Sequence, residues 1–439
     1  MRQNENILAA IDIGTTKIVT IIGKKNEQNK LEILGLAKAP SKGIKRGVVM
    51  NIEETVNSIK LTIDEAQKQA GIQLKEVFVG IAGQHIKSLR TRGYINRDSY
   101  DDEITQKDID RLIEDMYKIP IDIGEEIIHV LPQSFIVDNE PGVKNPIGMA
   151  GKRLEGNFHI VIGQISSARN IEKCVNRCGL KVIKLILEPL ASAKAVLTED
   201  EIEAGVAVVD IGGGTTDIAV YYDDIIRHTA VIPFGGNVVT HDIKEGCSIL
   251  NRQAEALKIQ FGSALADLEP DDKVVTIPSI SGGDPKEISF KTLAYIIQSR
   301  MEEIIDAIIF EIENSDYKEK LSAGIVLTGG GSLLKNLSQL VKFKSGMDVR
   351  IGYPFWSLAS GINDEINHPM YSTSIGLLLT GEEYLRTLKN KESNLKTIEE
   401  SKDKTEEKVE EKTKNKSKNI FESIKKTIAD IFEENDAKL

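Results

Sequence analysis

Two stretches of the chain share one pattern of apolar and polar positions. Each has an apolar run, an aspartate, a glycine-containing turn and a second apolar run: ILAAIDIGTTKIVTIIG at 7–23 and VAVVDIGGGTTDIAVYY at 206–222. Apolar runs of this length that flank glycine predict two strands joined by a tight turn. We therefore expect two related β-hairpins, roughly two hundred residues apart.

Both predicted turns carry groups suited to binding phosphate. Glycine lacks a Cβ atom and tolerates positive φ, so neighbouring backbone N–H groups can close around an anion. The aspartates end their strands, where each could hold a hydrated divalent cation. The candidate residues are Asp12, Gly14, Thr15, Thr16 and Lys17 in the first turn, and Asp210, Gly212, Gly213, Gly214, Thr215 and Thr216 in the second.

A single glycine-rich hairpin is more often an ordinary turn than a ligand site. Two copies, each led by aspartate and each carrying paired threonines, favour two lobes that face one nucleotide. Neither stretch fits the P-loop pattern or the glycine pattern of dinucleotide-binding folds.

Elsewhere the hydrophobic pattern predicts helices and strands in alternation, which is typical of an α/β protein. Residues 85–163 contain their own helix and apolar strands, which favours a small inserted β/α unit over a decorated loop. The predicted helices are 52–70, 106–118, 166–178, 188–197, 236–245, 248–261, 293–314, 372–379 and one that begins at 333. The predicted strands are 31–39, 77–81, 89–97, 126–138, 158–162, 182–187, 274–277, 288–290 and 324–328.

The predicted helix that begins at Glu188 has proline in its first turn and a surface of small residues. Such a surface would let it cross closely between two lobes, and residues 372–379 form a plausible crossing partner. Glu188 itself could orient a water molecule on a nucleotide, or it could simply complement the helix dipole.

Two further groups could contact a nucleoside. A third glycine turn, Gly329, Gly330, Gly331 and Ser332, follows a predicted buried strand and could let a base or ribose approach the backbone. Glu255 and Lys258 lie three residues apart on one helix face, although such a pair could also be a surface ion pair of little energetic value.

The end of the chain changes composition twice. Apolar residues nearly vanish from 386 to 418, which predicts a disordered linker. From 418 to 434 an amphipathic helix is predicted, with its apolar side chains within an arc of about 120° and several lysines just before it. This pattern favours an anionic membrane surface, with docking on a protein domain as the alternative. The apolar residues are Ile420, Phe421, Ile424, Ile428, Ile431 and Phe432.

Composition narrows the class of protein. A chain of 439 residues with 41% hydrophobic and 28% charged residues is typical of two or three globular domains, and its net charge of −11 argues against a general nucleic-acid binder. Three cysteines do not make a disulfide framework, and the six histidines show no metal-ligand spacing. No secretory signal or membrane-spanning apolar run is seen, so we expect a cytoplasmic location with any membrane association peripheral.

Together the two hairpins, the Glu188 helix and the third glycine turn resemble the phosphate, connecting and adenosine motifs of the actin/heat-shock-70/sugar-kinase superfamily. The segments 145–155 and 254–258, the linker and the C-terminal helix are similar to those of the FtsA family of bacterial cell division proteins. The resemblance covers residues 5–385 and the tail. It implies a two-lobed actin-like α/β fold of the duplicated ribonuclease-H type, which lacks the usual second small subdomain.

The implied domains are lobe I at 1–84, 164–189 and 360–385, an inserted subdomain at 85–163, and lobe II at 190–235 and 301–359. Lobe II would carry a small subdomain at 236–300, and the chain would end in a linker at 386–417 and a membrane-targeting helix at 418–439.

The resemblance also implies ATP with Mg²⁺ between the lobes. Asp12 and Asp210 would hold the hydrated metal, both hairpin turns would cradle the phosphates, and Glu188 would position a water molecule. Glu255 and Lys258 would contact the ribose, Gly329 to Ser332 would contact the adenosine, and Gly236 is grouped with these nucleotide-binding residues.

Members of the family polymerise on the inner face of the cell membrane and tether the tubulin-like protein FtsZ at the division septum. By resemblance, the FtsZ tail would dock on residues 236–300 with Arg300 as a candidate contact, and other division proteins would be recruited.

No nucleic-acid partner is implied, and at most slow ATP hydrolysis is expected. The enzymatic alternative is a small-molecule kinase of the same superfamily, although no convincing catalytic base is seen. A chaperone ATPase would need a substrate-binding domain after the linker.

Overall fold

A computed structural model describes residues 7–99, 101–278, 284–359 and 365–390. The chain divides into two compact units, 1–381 and 382–439. A helix covers residues 372–390, so it is longer than the predicted helix 372–379 and extends five residues past the predicted start of the linker. The rest of the predicted linker and the predicted membrane helix lie outside the described residues.

Each predicted hairpin forms the centre of a five-stranded sheet, and the two sheets have the same topology. In the first, strands Ile7–Ile13, Lys17–Lys25 and Leu31–Pro40 form an antiparallel meander, and Glu76–Ile81 and Lys181–Leu187 continue the sheet in parallel on the other side. In the second, the meander is Val206–Ile211, Thr216–Tyr222 and Ile225–Ile232, and the parallel strands are Ile325–Thr328 and Val349–Ile351. The repeated order confirms the duplicated α/β fold that the turns predicted.

Each lobe has its own hydrophobic core between its sheet and its helices. In lobe I, Ile59 and Ile63 of one helix are buried with Ile11 and Val79 of the sheet. The sequence sets the limits of that helix locally, because the Asn51 side chain accepts bonds from the N–H groups of its first turn and Gly71 ends it in the left-handed conformation. The helices of lobe I are Ile52–Ala70 and Ile165–Arg177; those of lobe II are Gly236–Cys247, Asn251–Phe261, Phe290–Asn314 and Leu337–Ser345.

Three predicted boundaries in lobe II were wrong. The helix predicted from 248 begins at Asn251, because Ser248 has φ 45° and terminates the preceding helix. Phe290 begins a helix instead of ending a strand, because Ser289 accepts a hydrogen bond from the N–H of Thr292 as an N-cap. The third glycine turn itself forms a 3₁₀ turn, Gly330–Leu333, and the α-helix that was predicted to begin at 333 starts only at Leu337.

The insertion forms a four-stranded antiparallel sheet with one helix, Gln106–Met116. Its strands lie in the order Lys87–Asn96, Arg153–Gln164, Glu125–Val137 and Glu140–Val143. Strand Arg153–Gln164 is longer than the predicted 158–162 because it pairs along its length with a partner on each side. Its apolar side chains, with Leu112 of the helix, form a separate small core.

The insertion interrupts lobe I in the sequence, but in the structure it also packs on lobe II. Ser88 Oγ donates to the carbonyl of Thr229 at 3.0 Å, and His159 Nε2 lies 2.8 Å from Thr229 Oγ1. Arg90 Nη1 pairs with Asp316 Oδ2 at 2.8 Å. The insertion is therefore held by both lobes.

The remaining elements are short. Ile44–Lys45 pairs with Val48–Val49, and Val274–Ile277 pairs with Lys286–Ser289. Helices Glu188–Val196 and Glu199–Ala204 connect the lobes in sequence. Within the described parts of the chain, no helix is both long and apolar enough to cross a membrane.

Candidate functional site: the cleft between the two hairpins

The turns of the two hairpins meet face to face. A Cβ atom on Gly213 would overlap the Thr16 hydroxyl, and one on Gly214 would lie 2.7 Å from Thr15 Cβ. Glycine is therefore required at both positions by the opposite turn, not only by local backbone freedom. The two turns share one cleft, as the repeated pattern predicted.

The two aspartates that lead the turns are buried and anchored by hydroxyl groups. Ser374 Oγ donates to Asp12 Oδ2 at 3.0 Å. Ser192 Oγ and Thr373 Oγ1 donate to Asp210 Oδ2 at 2.6 and 2.9 Å. Each aspartate therefore has a fixed orientation at the base of the cleft.

These hydroxyl groups are carried by the two helices that cross between the lobes. A Cβ atom on Gly376 would overlap the carbonyl oxygen of Ala191, and Ser192 Oγ lies 3.0 Å from Thr373 Oγ1. The predicted crossing of two small-residue helices is therefore present. The small side chains allow a close approach that brings the hydroxyl groups to both aspartates.

The base of the cleft holds one more carboxylate besides Asp12, Asp210 and Glu188. This residue, Asp217, was missed by sequence reasoning. It lies directly opposite Asp210 in the second hairpin, accepts a bond from Thr215 Oγ1 at 3.0 Å on one oxygen, and has a buried second oxygen without a hydrogen-bond partner among the described residues. The first hairpin has Val19 opposite Asp12, so it offers no counterpart. Sequence reasoning could have found Asp217, because Asp210 and Asp217 are equally far from the centre of the turn. Residues that pair across a hairpin in this way lie on the same face of the sheet.

Burial raises the pKa values of all four acids, and repulsion from neighbouring acids adds to the rise for Glu188, Asp217 and Asp12. Burial, then the charges of Asp12, Asp217 and Asp210, hold the pKa of Glu188 well above its usual range. Burial and the charge of Asp210 do the same to the pKa of Asp217. Burial also raises the pKa values of Asp12 and Asp210, against the lowering effect of Lys17.

Such a cluster fits a cation. In the described ranges no three acidic, histidine or cysteine side chains are placed to bind one metal ion directly. A cation here would therefore be held through water, which is how Mg²⁺ is often retained because it dehydrates reluctantly. The unpartnered oxygen of Asp217 and the cleft between the glycine turns fit a hydrated metal with a phosphate chain.

Gly236 starts a helix after a turn that packs against the second hairpin, and Lys258 reaches this turn from helix Asn251–Phe261. The N–H groups of Gly236 and Asn237 donate to the carbonyls of Gly212 and Gly213 at 2.9 and 2.8 Å. Lys258 Nζ donates to Gly236 O at 3.0 Å, Thr240 Oγ1 at 2.7 Å and Glu255 Oε2 at 2.8 Å. The Glu255–Lys258 pair is therefore hydrogen-bonded to this turn and is not an isolated surface ion pair.

The third glycine turn lies beside Asp210. Gly329 has φ +80°, and a Cβ atom there would lie 2.7 Å from the carbonyl oxygen of Ile211. Ser332 is buried and its hydroxyl donates to Gly329 O at 2.7 Å, which closes the turn. Only Gly330 has open space where a Cβ atom would be, so a flat group could approach the turn there.

Two hydroxyl groups that were predicted to bind phosphate donate hydrogen bonds to other groups of the protein. Thr216 is fully buried and its hydroxyl donates to Phe234 O at 2.8 Å, while the Thr215 hydroxyl donates to Asp217.

Arg300 lies beside Asp242, with 2.5 Å between Nε and Oδ2, and also pairs with Glu303. Arg300 lines a cavity of about 400 Å³ that reaches Thr15 and Gly213 of the two hairpin turns.

Comparison with known proteins identifies the family. The sequence-family model of the cell division protein FtsA matches residues 207–376. The family model of the SHS2 domain inserted in FtsA matches residues 83–162. A cell division protein FtsA of Pseudomonas aeruginosa is 42% identical over 379 residues, which is 86% of this chain and 90% of that protein. The chain belongs to the FtsA family of cell division proteins. Its role is thus that of an actin-like cell division protein, and the small-molecule kinase alternative is wrong.

A second relative supports the FtsA assignment, and solved structures of other proteins share the fold. The FtsA of Escherichia coli K12 is 36% identical over 387 residues, covering 87% of this chain and 91% of that protein. A PilM–PilN type IV pilus biogenesis complex has a chain with a TM-score of 0.63 at 15% identity, covering 85% of this chain and 98% of that chain. MreB5 of Spiroplasma citri bound to AMPPNP has a TM-score of 0.54 at 14% identity, covering 88% and 99%. These structures support the actin-like fold.

Proposed function

We propose that this FtsA-family chain binds ATP with a hydrated Mg²⁺ between its lobes. The observation that carries the proposal is the convergence of the two hairpin turns, with three buried aspartates and the partly buried Glu188 at their base. The backbone N–H groups of both turns and Lys17 would bind the phosphates, while Asp12 and Asp210 would orient the water shell of the metal. Glu255, Lys258 and the Gly329–Ser332 turn would face the nucleoside.

Glu188 would position a water molecule near the phosphates. Its carboxylate lies against strand Glu76–Ile81 of lobe I, where a Cβ atom on Gly80 would be 2.9 Å from Glu188 Oε1. A raised pKa favours a protonated carboxyl in the absence of ligand, and an added cation would favour the charged form. The role of the chain is structural, with at most slow ATP hydrolysis.

The nucleotide-bound protein would assemble into filaments on the cytoplasmic side of the cell membrane, at the septum. We further propose that it tethers FtsZ there and helps to recruit later division proteins. Family membership supports this role, and the sequence supports the anchor: six apolar residues between 420 and 432 would share one face of a helix after a lysine-rich segment. One such helix binds weakly, whereas many in a polymer bind tightly by avidity. The FtsZ tail would dock on residues 236–300, with Arg300 as a contact.

Nucleotide binding is tested by titrating the full chain with ATP in Mg²⁺ and in EDTA. Asp210→Asn should weaken binding in Mg²⁺ because it removes one of the charges that orient the metal shell, while exposed Asp101→Asn should not. Equal affinity in Mg²⁺ and EDTA would contradict the metal site.

The tether is tested by sedimentation with anionic liposomes, with and without ATP and FtsZ. Deleting residues 418–439 should release the protein and any bound FtsZ. Ile428→Glu should do the same because it places a charge on the apolar face, whereas Ala429→Glu adds the same charge outside that face. Unchanged binding of the deletion variant would refute the membrane anchor.

A further inference from the structure

A two-residue hairpin turn with an unusual residue lies beside the phosphate turns. Strands Ile44–Lys45 and Val48–Val49 are joined by Arg46 and Gly47, which both have positive φ, 51° and 74°. This turn type strongly prefers Asn-Gly, because a residue with a larger side chain is strained in the left-handed conformation. Strain of this kind is concentrated at functional sites, so arginine at this position needs an explanation.

The tip of this hairpin is held rigidly against the first phosphate turn. Gly47 N–H donates to Thr15 Oγ1 at 3.1 Å. A Cβ atom on Gly47 would lie 2.7 Å from the carbonyl oxygen of Ala82, so the tip packs directly on the loop after strand Glu76–Ile81. Arg46 therefore projects from a fixed position on lobe I.

The Arg46 side chain faces lobe II across a cavity. Its guanidinium carbon lies 5.7 Å from the ring centroid of Phe234, two residues before Gly236. The cavity, of about 400 Å³, is also lined by Gly213 and Gly214 of the second phosphate turn and by the start of helix Gly236–Cys247. The positive end of that helix dipole adds to the attraction for an anion.

The cavity has an excess of positive charge. Asp242 is the one acid that lines it among the described residues, and it is already paired with Arg300. Lys45 and Arg46 also line the cavity, and no carboxylate in the described ranges lies within ion-pair distance of either. A planar guanidinium beside two glycine turns is suited to a phosphate group.

We propose that Arg46 binds the terminal phosphate of the nucleotide and so makes the chain prefer ATP to ADP. The inference rests on the proposed ATP site and adds a residue from outside the two hairpins. Because Arg46 belongs to lobe I and its ring partner belongs to lobe II, the terminal phosphate would join the two lobes through this side chain. Loss of that phosphate would remove the link.

The test compares Mg-ATP and Mg-ADP dissociation constants for the full chain and for Arg46→Asn. Asparagine suits the left-handed position, so this variant should unfold at the same or a higher temperature while its ATP-to-ADP preference falls about tenfold or more. Lys42→Asn is the matched control, because it removes a positive charge from an exposed site on the same segment. It should leave the preference unchanged.

Arg46→Lys should retain part of the preference, and ADP with added inorganic phosphate should bind no more tightly than ADP alone to Arg46→Asn. An unaltered ATP-to-ADP ratio in Arg46→Asn, with ATP binding intact, would overturn the role of Arg46 alone. Failure of the unaltered chain to bind ATP would overturn the nucleotide site itself, so the two failures are distinguishable.

Discussion

Gly376→Ala should damage both stability and nucleotide binding. Gly376 is the contact point of the two crossing helices, and a Cβ atom there would overlap the carbonyl oxygen of Ala191. That carbonyl belongs to a helix backbone, so it cannot move away as the end of a flexible side chain could. The helices must therefore separate, which pulls Thr373 and Ser374 away from Asp210 and Asp12.

The magnitude follows from these contacts. Overpacking costs roughly 1–3 kcal/mol, and losing one hydrogen bond to a charged group costs about 1.5–3 kcal/mol more. Replacing glycine by alanine inside a helix returns about 1 kcal/mol. We therefore expect the free energy of unfolding to fall by about 2–5 kcal/mol, with weaker Mg-ATP binding because the hydroxyl groups that orient the aspartates are displaced.

The assay is denaturant unfolding followed by circular dichroism, together with Mg-ATP titration of the folded variant. The single tryptophan, Trp356, is 56% exposed and is a poor reporter of the core. Gly246→Ala is the matched control, because its Cβ atom would meet only the movable end of the Ile296 side chain, at 2.9 Å, and the helix should be stabilised or unchanged. A loss below about 1 kcal/mol in Gly376→Ala, with unchanged ATP affinity, would refute the proposed geometry of the crossing.

Three further predictions concern charge. Folding raises the pKa of Asp217, so its stabilising contribution is complete below the unfolded pKa and is lost as pH rises through the folded pKa. In EDTA the melting temperature of Asp217→Asn should therefore decline less from pH 5 to 8 than that of the unaltered chain; parallel curves would contradict this. His159 behaves in the opposite sense: burial lowers its pKa to about 4, so stability is lost as pH falls from 6.5, by up to about 1.4 kcal/mol per pH unit. His159→Asn should flatten that loss in denaturant titrations between pH 6 and 4.5, and an unchanged slope would show that other groups dominate. Lys258→Met should raise the dissociation constant for ATP about tenfold because it frees Gly236 and Thr240, whereas Lys244→Met, which removes only an exposed pair with Glu245, should not.

Local chemistry determined the elements from which the cleft is built. A repeated run of apolar residues, aspartate and glycine was enough to predict both hairpins, because strand pairing across a tight turn joins residues close in sequence. The limits of helix Ile52–Ala70 followed from Asn51 and Gly71 for the same reason. The duplication of the turns also predicted the duplicated lobes, which the matching sheet topologies confirm.

Only the tertiary structure decided which side chains meet at the base of the cleft. The bond from Ser374 to Asp12 joins residues 362 positions apart, and no hydrophobic period encodes such a contact. The same holds for the position of Arg46 opposite Phe234 and for the packing of the insertion on lobe II through Thr229. The local sequence around a hydroxyl or guanidinium side chain does not reveal its role, because that role depends on which groups the rest of the fold places beside it.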